Sequence, residues 1–153
     1  MKHNTYLKEY LIDLLYDLET VTEKSAHHPE ENTLTHSLQV FELAYQQSAD
    51  AELWAAALLH DIGKAIDYPH HAIIGADLLK NLLSPRIVWL VKHHLDLLIQ
   101  PSKTRQHLKN TLKLRDLEKL RQWDLKGRKP HQQTCTVEYS IHTIFQNYQQ
   151  ISH

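Results

Sequence analysis

The sequence predicts an all-α fold, and three observations carry the prediction. Only 3 glycines and 5 prolines stand in 153 residues, too few turn formers for a fold of many short strands. Apolar residues recur at i, i+3 and i+4 in segment after segment, while no strand-length alternation appears. The chain is 42 % hydrophobic and 23 % charged, close to the globular average, and its length suits one domain over residues 1–153. The expected architecture is a bundle of about six to eight helices.

The first helix is predicted over about 5–20, where Leu7, Tyr10, Leu11, Leu14, Leu15 and Leu18 form one apolar stripe. Residues 25–32 read as a loop holding His27 and His28, with Asn32 placed to cap a second helix that carries Leu34, Leu38, Phe41 and Tyr45 in a row and His36 one residue off it. Asp50 starts a third helix, Ala51 to Asp61, whose Ala55–Leu59 run is apolar all round; Gly63 is placed to end it. Pro69 opens a fourth helix through Leu83, and Pro85 a fifth from Arg86 to about Ile99. Pro101-Ser102 reads as a short break. One or two helical stretches within 104–123, a loop over 127–133 that includes His131, and a final helix over about 137–151 complete the chain.

Composition also excludes function classes. A lone Cys135 rules out internal disulfides and cysteine-based zinc sites, and it suits a reducing compartment. No apolar run approaches the ~18 residues of a membrane span. Glu9, Asp13 and Asp17 interrupt what a signal-peptide core would need, so the expectation is a cytoplasmic protein without a membrane partner. The net charge of −1 conceals an asymmetry: residues 1–102 hold 7 Lys/Arg against 14 Asp/Glu, whereas residues 103–129 hold 10 against 3. A compact basic segment beside an acidic body steers an anionic ligand to one side.

The 13 histidines matter by position. His60 and Asp61 sit at the end of the buried alanine-rich helix. His71 shares a helix face with Gly75, Leu78 and Leu82, and the small Gly75 admits a neighbouring backbone beside it. In the fifth helix Ile87, Leu90, Val91, His94, Leu95 and Leu98 form the core stripe, so His94 points inward and His93 lies about 100° around. Asp124 ends a further helix. Imidazoles and carboxylates on core faces must be paired or coordinated, and four histidines with two aspartates from five helices suit a transition-metal site. Mixed nitrogen and oxygen ligation favours manganese, iron, cobalt, nickel or zinc, with magnesium a further candidate, over calcium.

The order His36, His60-Asp61, His71, His94, Asp124 resembles the HD superfamily of metal-dependent phosphohydrolases from about residue 33 to 128. His36-Ser37-Leu38-Gln39-Val40 looks like the family's opening helix, and Leu58-Leu59-His60-Asp61-Ile62-Gly63-Lys64 like its signature. In detail, His71-Ala72-Ile73-Ile74-Gly75-Ala76 and Asp124-Leu125-Lys126-Gly127-Arg128 are similar to the HD domain of bacterial tRNA nucleotidyltransferases (CCA-adding enzymes), here expected to stand alone, with Trp123 where a small residue is usual. The resemblance implies one or two divalent ions: a first held by His36, His60, Asp61 and Asp124, a second by Asp61 as bridge with His71 and His94. Either His93 or His94, and either His70 or His71, could serve as ligand. A metal-activated water would attack phosphorus, with Lys64 and Arg128 contacting phosphate and Trp123, next to Asp124, able to stack on a base.

The implied function is hydrolysis of a nucleotide-like phosphomonoester or 2′,3′-cyclic phosphodiester. The implied partner is a small phosphorylated substrate, with an RNA end as a further candidate, because the basic segment runs into Asp124 and ends past Arg128. A guanosine tetraphosphate hydrolase is disfavoured, since Ile62-Gly63-Lys64 stands where acidic residues would follow the His-Asp motif. A cyclic-di-GMP phosphodiesterase is disfavoured too, since Leu95-Asp96-Leu97-Leu98 replaces its Gly-Tyr-Pro motif. The alternative is a non-catalytic HD module that binds metal or nucleotide for regulation.

Overall fold

A computed structural model describes residues 2–22 and 32–153 of the chain. Ten α-helices run through the described residues: α1 (Lys2–Tyr16), α2 (Thr33–Gln47), α3 (Ala51–Leu59), α4 (His71–Leu79), α5 (Pro85–His93), α6 (Asp96–Ile99), α7 (Pro101–His107), α8 (Leu112–Lys126), α9 (Val137–Phe145) and α10 (Tyr148–Ile151). Two 3₁₀ turns, Asp17–Thr20 and Ile62–Ala65, extend α1 and follow α3. No strand occurs among the described residues, and α6, α7 and α10 are one or two turns long, so seven longer helices form the predicted all-α bundle. None of the described helices is long and apolar enough to cross a membrane. The loop expected around His27 and His28 lies outside the described residues apart from its end at Asn32.

Capping fixes where these helices start. Asn32 accepts from the Thr35 amide at 2.8 Å to begin α2, and Asp50, Ser84, Thr111 and Thr136 do the same for α3, α5, α8 and α9. The helices pack into two apolar clusters. One joins α1, α9 and the inner faces of α4 and α5 around Leu11, Leu15, Leu18 and Phe41; the other joins α5 and α8 around Leu53, Leu90, Leu117 and Trp123. Helices α2 and α3 contribute to both: Phe41 and Leu58 to the first, Val40 and Ala57 to the second. Lying between two cores is why α3 is apolar on every side and why α2 buries His36, Ser37 and Gln39 beside its leucines.

Several boundaries differ from the sequence expectation. The third helix stops at Leu59, leaving His60 and Asp61 in a tight turn, and Gly63 has no left-handed φ and is not its terminator. A Cβ on Gly63 would collide with the His71 carbonyl oxygen and approach the Gly75 nitrogen to 2.8 Å. Gly63 is therefore a close-approach residue facing Gly75, the counterpart the sequence reading lacked. The fourth helix begins at His71, not Pro69, and ends at Leu79, after which Asn81 takes a left-handed φ of 67° and leaves Leu82 40 % exposed. The fifth does not run to Ile99. It ends at His93 and resumes at Asp96, with His94 and Leu95 still near helical angles. The break expected at Pro101-Ser102 falls one residue earlier, at the non-helical Gln100, and Pro101 opens α7 from its first position, where its missing N–H costs nothing. The last helix divides at Asn147 into α9 and α10.

Candidate metal centre

Five separated segments deliver six side chains to one place. His36 comes from the first turn of α2, His60 and Asp61 from the turn after α3, His71 from the first position of α4, His94 from the residue that caps the end of α5, and Asp124 from the last turn of α8. All six are buried. They form two groups sharing Asp61: His36, His60, Asp61 and Asp124, and Asp61, His71 and His94, each with its ligand-capable atoms within 4.8 Å of one another. The two carboxylate oxygens of Asp61 face different groups. Oδ2 lies 3.1 Å from His60 Nε2 and 3.6 Å from His36 Nε2; Oδ1 lies 3.2 Å from His71 Nε2 and 3.6 Å from His94 Nε2. Asp124 Oδ1 closes the first group at 2.8 Å from His36 Nε2 and 3.3 Å from His60 Nε2.

The outer nitrogens set the chemistry of the inner ones. In all four histidines Nδ1 lies within hydrogen-bond distance of a backbone carbonyl: Gly127 for His36 (2.7 Å), Ala57 for His60 (2.8 Å), Tyr68 for His71 (2.9 Å) and Val91 for His94 (2.7 Å). A carbonyl only accepts, so each Nδ1 carries a proton and donates, and each ring turns its Nε2 inward, the atom left to take a metal or a second proton. Three of these carbonyls belong to the residue three positions earlier, which a histidine at a helix end reaches naturally. His71 Nε2 and His94 Nε2 then stand 3.2 Å apart as two facing lone pairs. His60 Nε2 is buried without a well-aligned hydrogen-bond partner although two carboxylates lie within 3.3 Å. Facing lone pairs and an orphaned ring nitrogen beside carboxylates are what a bound cation resolves, so this donor set fits a divalent metal.

The electrostatics agree. Burial pushes the Asp61 carboxyl up, but the charges of His60 and Lys64 and bonds from His60 and His71 outweigh it and hold the group well below the usual carboxylate range. Asp124 is also held low, with bonds from His36 and His60 overcoming its burial. At His60 burial alone would lower the pKa, yet the Asp61 and Asp124 charges lift it to about 10. His94 goes the other way, lowered chiefly by burial. The carboxylates are therefore kept ionised, the form in which they ligate a metal.

Cations rim the cluster. Lys64 Nζ lies 3.3 Å from Asp61 Oδ2 and 4.8 Å from the Tyr68 ring centroid, and Arg128 donates from Nε to the Asp124 carbonyl at 3.1 Å with Nη2 3.7 Å from Asp124 Oδ1. Both thus lie within 4 Å of a carboxylate oxygen of the cluster. The Gln39 amide pins the strand of chain behind Arg128, donating to the Lys129 carbonyl and accepting its amide. Of the ambiguous pairs, His71 and His94 are in the cluster. His70 turns to Asp67 with its side chain 69 % exposed, and His93 bonds Asp96 at 2.8 Å while stacking on Trp89. Trp123 corrects an expectation: it is 2 % exposed in the second core with its indole N–H bonded to Gln47, so it offers no face to a base. Trp54 is half-buried, donating to the Ser48 carbonyl, and His131 is exposed. Sequence reasoning missed Arg121, whose Nη1 lies 3.4 Å from Asp124 Oδ2. The available signal was its position three residues before Asp124 on one helix.

An all-α bundle with buried histidine and aspartate side chains converging from five segments defines a class of metal-binding helical domains. The chain belongs to the HD domain family, whose sequence profile matches residues 33–133. Among curated proteins it is 31 % identical over 106 residues to the Multifunctional CCA protein of Halorhodospira halophila, covering 62 % of this chain and 24 % of that one. It is 40 % identical over 55 residues to the protein of that name from Nitrosococcus oceani, covering 33 % and 14 %. To the Ribonuclease Y of Nitratidesulfovibrio vulgaris it is 39 % identical over 84 residues, covering 48 % and 16 %. The matches thus span less than a quarter of these relatives' own length.

Proposed function

We propose that this chain is a metal-dependent phosphohydrolase acting on a nucleotide-like phosphomonoester or a 2′,3′-cyclic phosphodiester. The carrying observation is the inward set of four Nε2 atoms around the two oxygens of Asp61, with every Nδ1 engaged by backbone. His36, His60, Asp61 and Asp124 would hold one divalent ion of the manganese, iron, cobalt, nickel or zinc type, or magnesium, and Asp61, His71 and His94 a second. Bound there, such ions supply a water ionised near neutral pH and compensate charge developing on phosphoryl oxygens. The protein's own part is electrostatic and positional. Asp61 and Asp124 stay ionised without help from pH, and the carbonyl-bound imidazoles cannot swing away. Lys64 and Arg128 sit at the rim to receive phosphate oxygens, Lys64 as a point charge and Arg128 through its fork. A nucleotide or an RNA terminus as substrate is supported by the names of the CCA and ribonuclease relatives and by the basic segment 103–129 that contains Asp124.

The test is phosphate or ring-opened product release from a panel of 2′-, 3′- and 5′-monophosphates and 2′,3′-cyclic nucleotides. The chain is stripped with chelator and reloaded with each metal in turn, and its metal content is measured alongside. Turnover with one or two ions per chain is expected. Turnover that needs no metal, or several loosely held ions per chain, contradicts the reading.

A further inference from the structure

Beside α7, along the outer face of α8, lies an open groove of about 560 Å³. Its cations are Arg105, Arg115, Lys119 and Arg121, and the exposed Leu125 adds an apolar wall. The acid that lines it, Glu118, sits 3.6 Å from Arg105. The groove is not isolated from the cluster, because Arg121 lines it and also lies 3.4 Å from Asp124. One guanidinium thus joins the basic surface to a residue of the candidate centre.

We infer that this groove is a track for the sugar–phosphate backbone of a single-stranded polynucleotide, which it leads toward the cluster. The cations are spread too far along α8 for one phosphate to meet them all. Arg115 precedes Asp124 by nine residues on one helix, about 13 Å of axial rise, several times the ~3.4 Å per stacked nucleotide. Arg115 and Lys119, four residues apart, share one side of α8, while Arg121 borders the groove from another side next to Asp124, so a backbone lying in the groove meets cations on both flanks. Contiguity with Asp124 favours a polyanion that carries its own phosphodiesters over an acidic protein segment, which would gain nothing from ending there. Binding is expected to be tolerant of base identity, since no aromatic side chain stands among the residues that line the groove. The direction of the track rests on the phosphohydrolase reading, but its occupancy is measured without turnover.

The experiment is fluorescence anisotropy of labelled single-stranded RNA and DNA of about 12 nucleotides with the full chain at rising salt, comparing wild type with Arg115→Glu/Lys119→Glu. Hydrolysis of a 2′,3′-cyclic mononucleotide is followed in parallel. Three phosphates neutralised predict a slope of log K against log salt near −2 for wild type, and about tenfold or greater weakening with a shallower slope in the double variant. Cyclic-nucleotide turnover should stay within about twofold, because neither residue touches the cluster. Arg115→Gln/Lys119→Gln gives the same reading if charge reversal disturbs folding. Absence of wild-type binding, equal binding by the variants, or competition by polyglutamate as effective as by the oligonucleotide would overturn the track. Salt-dependent binding without turnover of any substrate would instead uphold the track and refute the phosphohydrolase reading. Preference between RNA and DNA reports which strand it serves.

Discussion

Asp61 is the residue on which the account turns, because it alone belongs to both ligand groups and its two oxygens face different histidine pairs. Asp61→Ala is expected to remove hydrolysis by about three orders of magnitude or more and to lower bound metal to under one ion per chain, read by kinetics and elemental analysis. The metal-free chain carries a second signature. The pKa of His60 is raised from 6.5 to about 10, so its stabilising contribution is complete below pH 6.5 and is lost as pH climbs toward 10. Asp61 and Asp124 are held low, so theirs is present above 3.8 and is lost as pH falls below it. His94, lowered by burial, loses its contribution as pH falls below 6.5, so thermal melts in chelator should peak near pH 6.5 and decline on both sides. Added divalent metal should stabilise progressively more from pH 6 to 8, since it replaces the proton on His60. A melt whose metal response is the same at both pH values contradicts this exchange. The residue types and their order were legible in the sequence, including Lys64 and Arg128. The carbonyl partners were not, because reaching three residues back depends on where each helix stops, and Trp123 was misread because helical spacing alone cannot say which side of α8 faces a second core.

At the scale of elements, the site depends on α3 and α4 approaching closely enough for His60-Asp61 and His71 to meet. That approach runs through Gly63, where a Cβ would strike the His71 carbonyl, and Gly75, where it would meet Val91 at the tighter distance of 3.1 Å and Gly63 at 3.6 Å. Gly63→Ala should destabilise by about 1–3 kcal/mol in denaturant titrations and shift His71, cutting metal affinity, whereas Gly75→Ala should cost less because a valine side chain can yield. Equal effects of the two substitutions would contradict the assignment of backbone contact to Gly63. Asn32→Ala should cost about 1 kcal/mol by uncapping α2 directly below His36. The starts of α2, α3 and α5 were legible from Asn32, Asp50 and Pro85, whereas the start of α8 was not, although Thr111 caps it. Helix ends were not, because α3, α5 and α9 stop without a glycine or proline to announce it.

Across the whole molecule, one ion network ties the two cores together. Arg86 on α5 bonds both oxygens of Asp116 on α8 at 2.9 Å and reaches Asp50 at 2.7 Å and Glu52 at 3.2 Å at the start of α3. Asp116 is 2 % exposed, so removing its partner strands a buried charge. Arg86→Met should cost about 2–3 kcal/mol, below the full penalty because the guanidinium retains some exposure, and Arg86→Met/Asp116→Leu should recover part of it. A double variant less stable than the sum of the single changes would contradict a pairing role. The all-α class could be read from periodicity, and the grouping of the six site residues from the resemblance of their order to the HD superfamily. The Arg86 network could not, since Asp116 looks like one more charge on a basic helix until α5 is packed against it. The basic segment was likewise visible as charge, but only packing of α7 beside α8 turns it into a groove that ends at Asp124. The most direct measurement is hydrolysis of a 2′,3′-cyclic nucleotide and its 2′- and 3′-monophosphates by chelator-stripped chain before and after adding Mn²⁺, Ni²⁺ or Co²⁺, with Asp61→Ala beside it. The account predicts no turnover when stripped, recovery on metal addition, and none in Asp61→Ala. Turnover that survives stripping, or that Asp61→Ala retains, contradicts it.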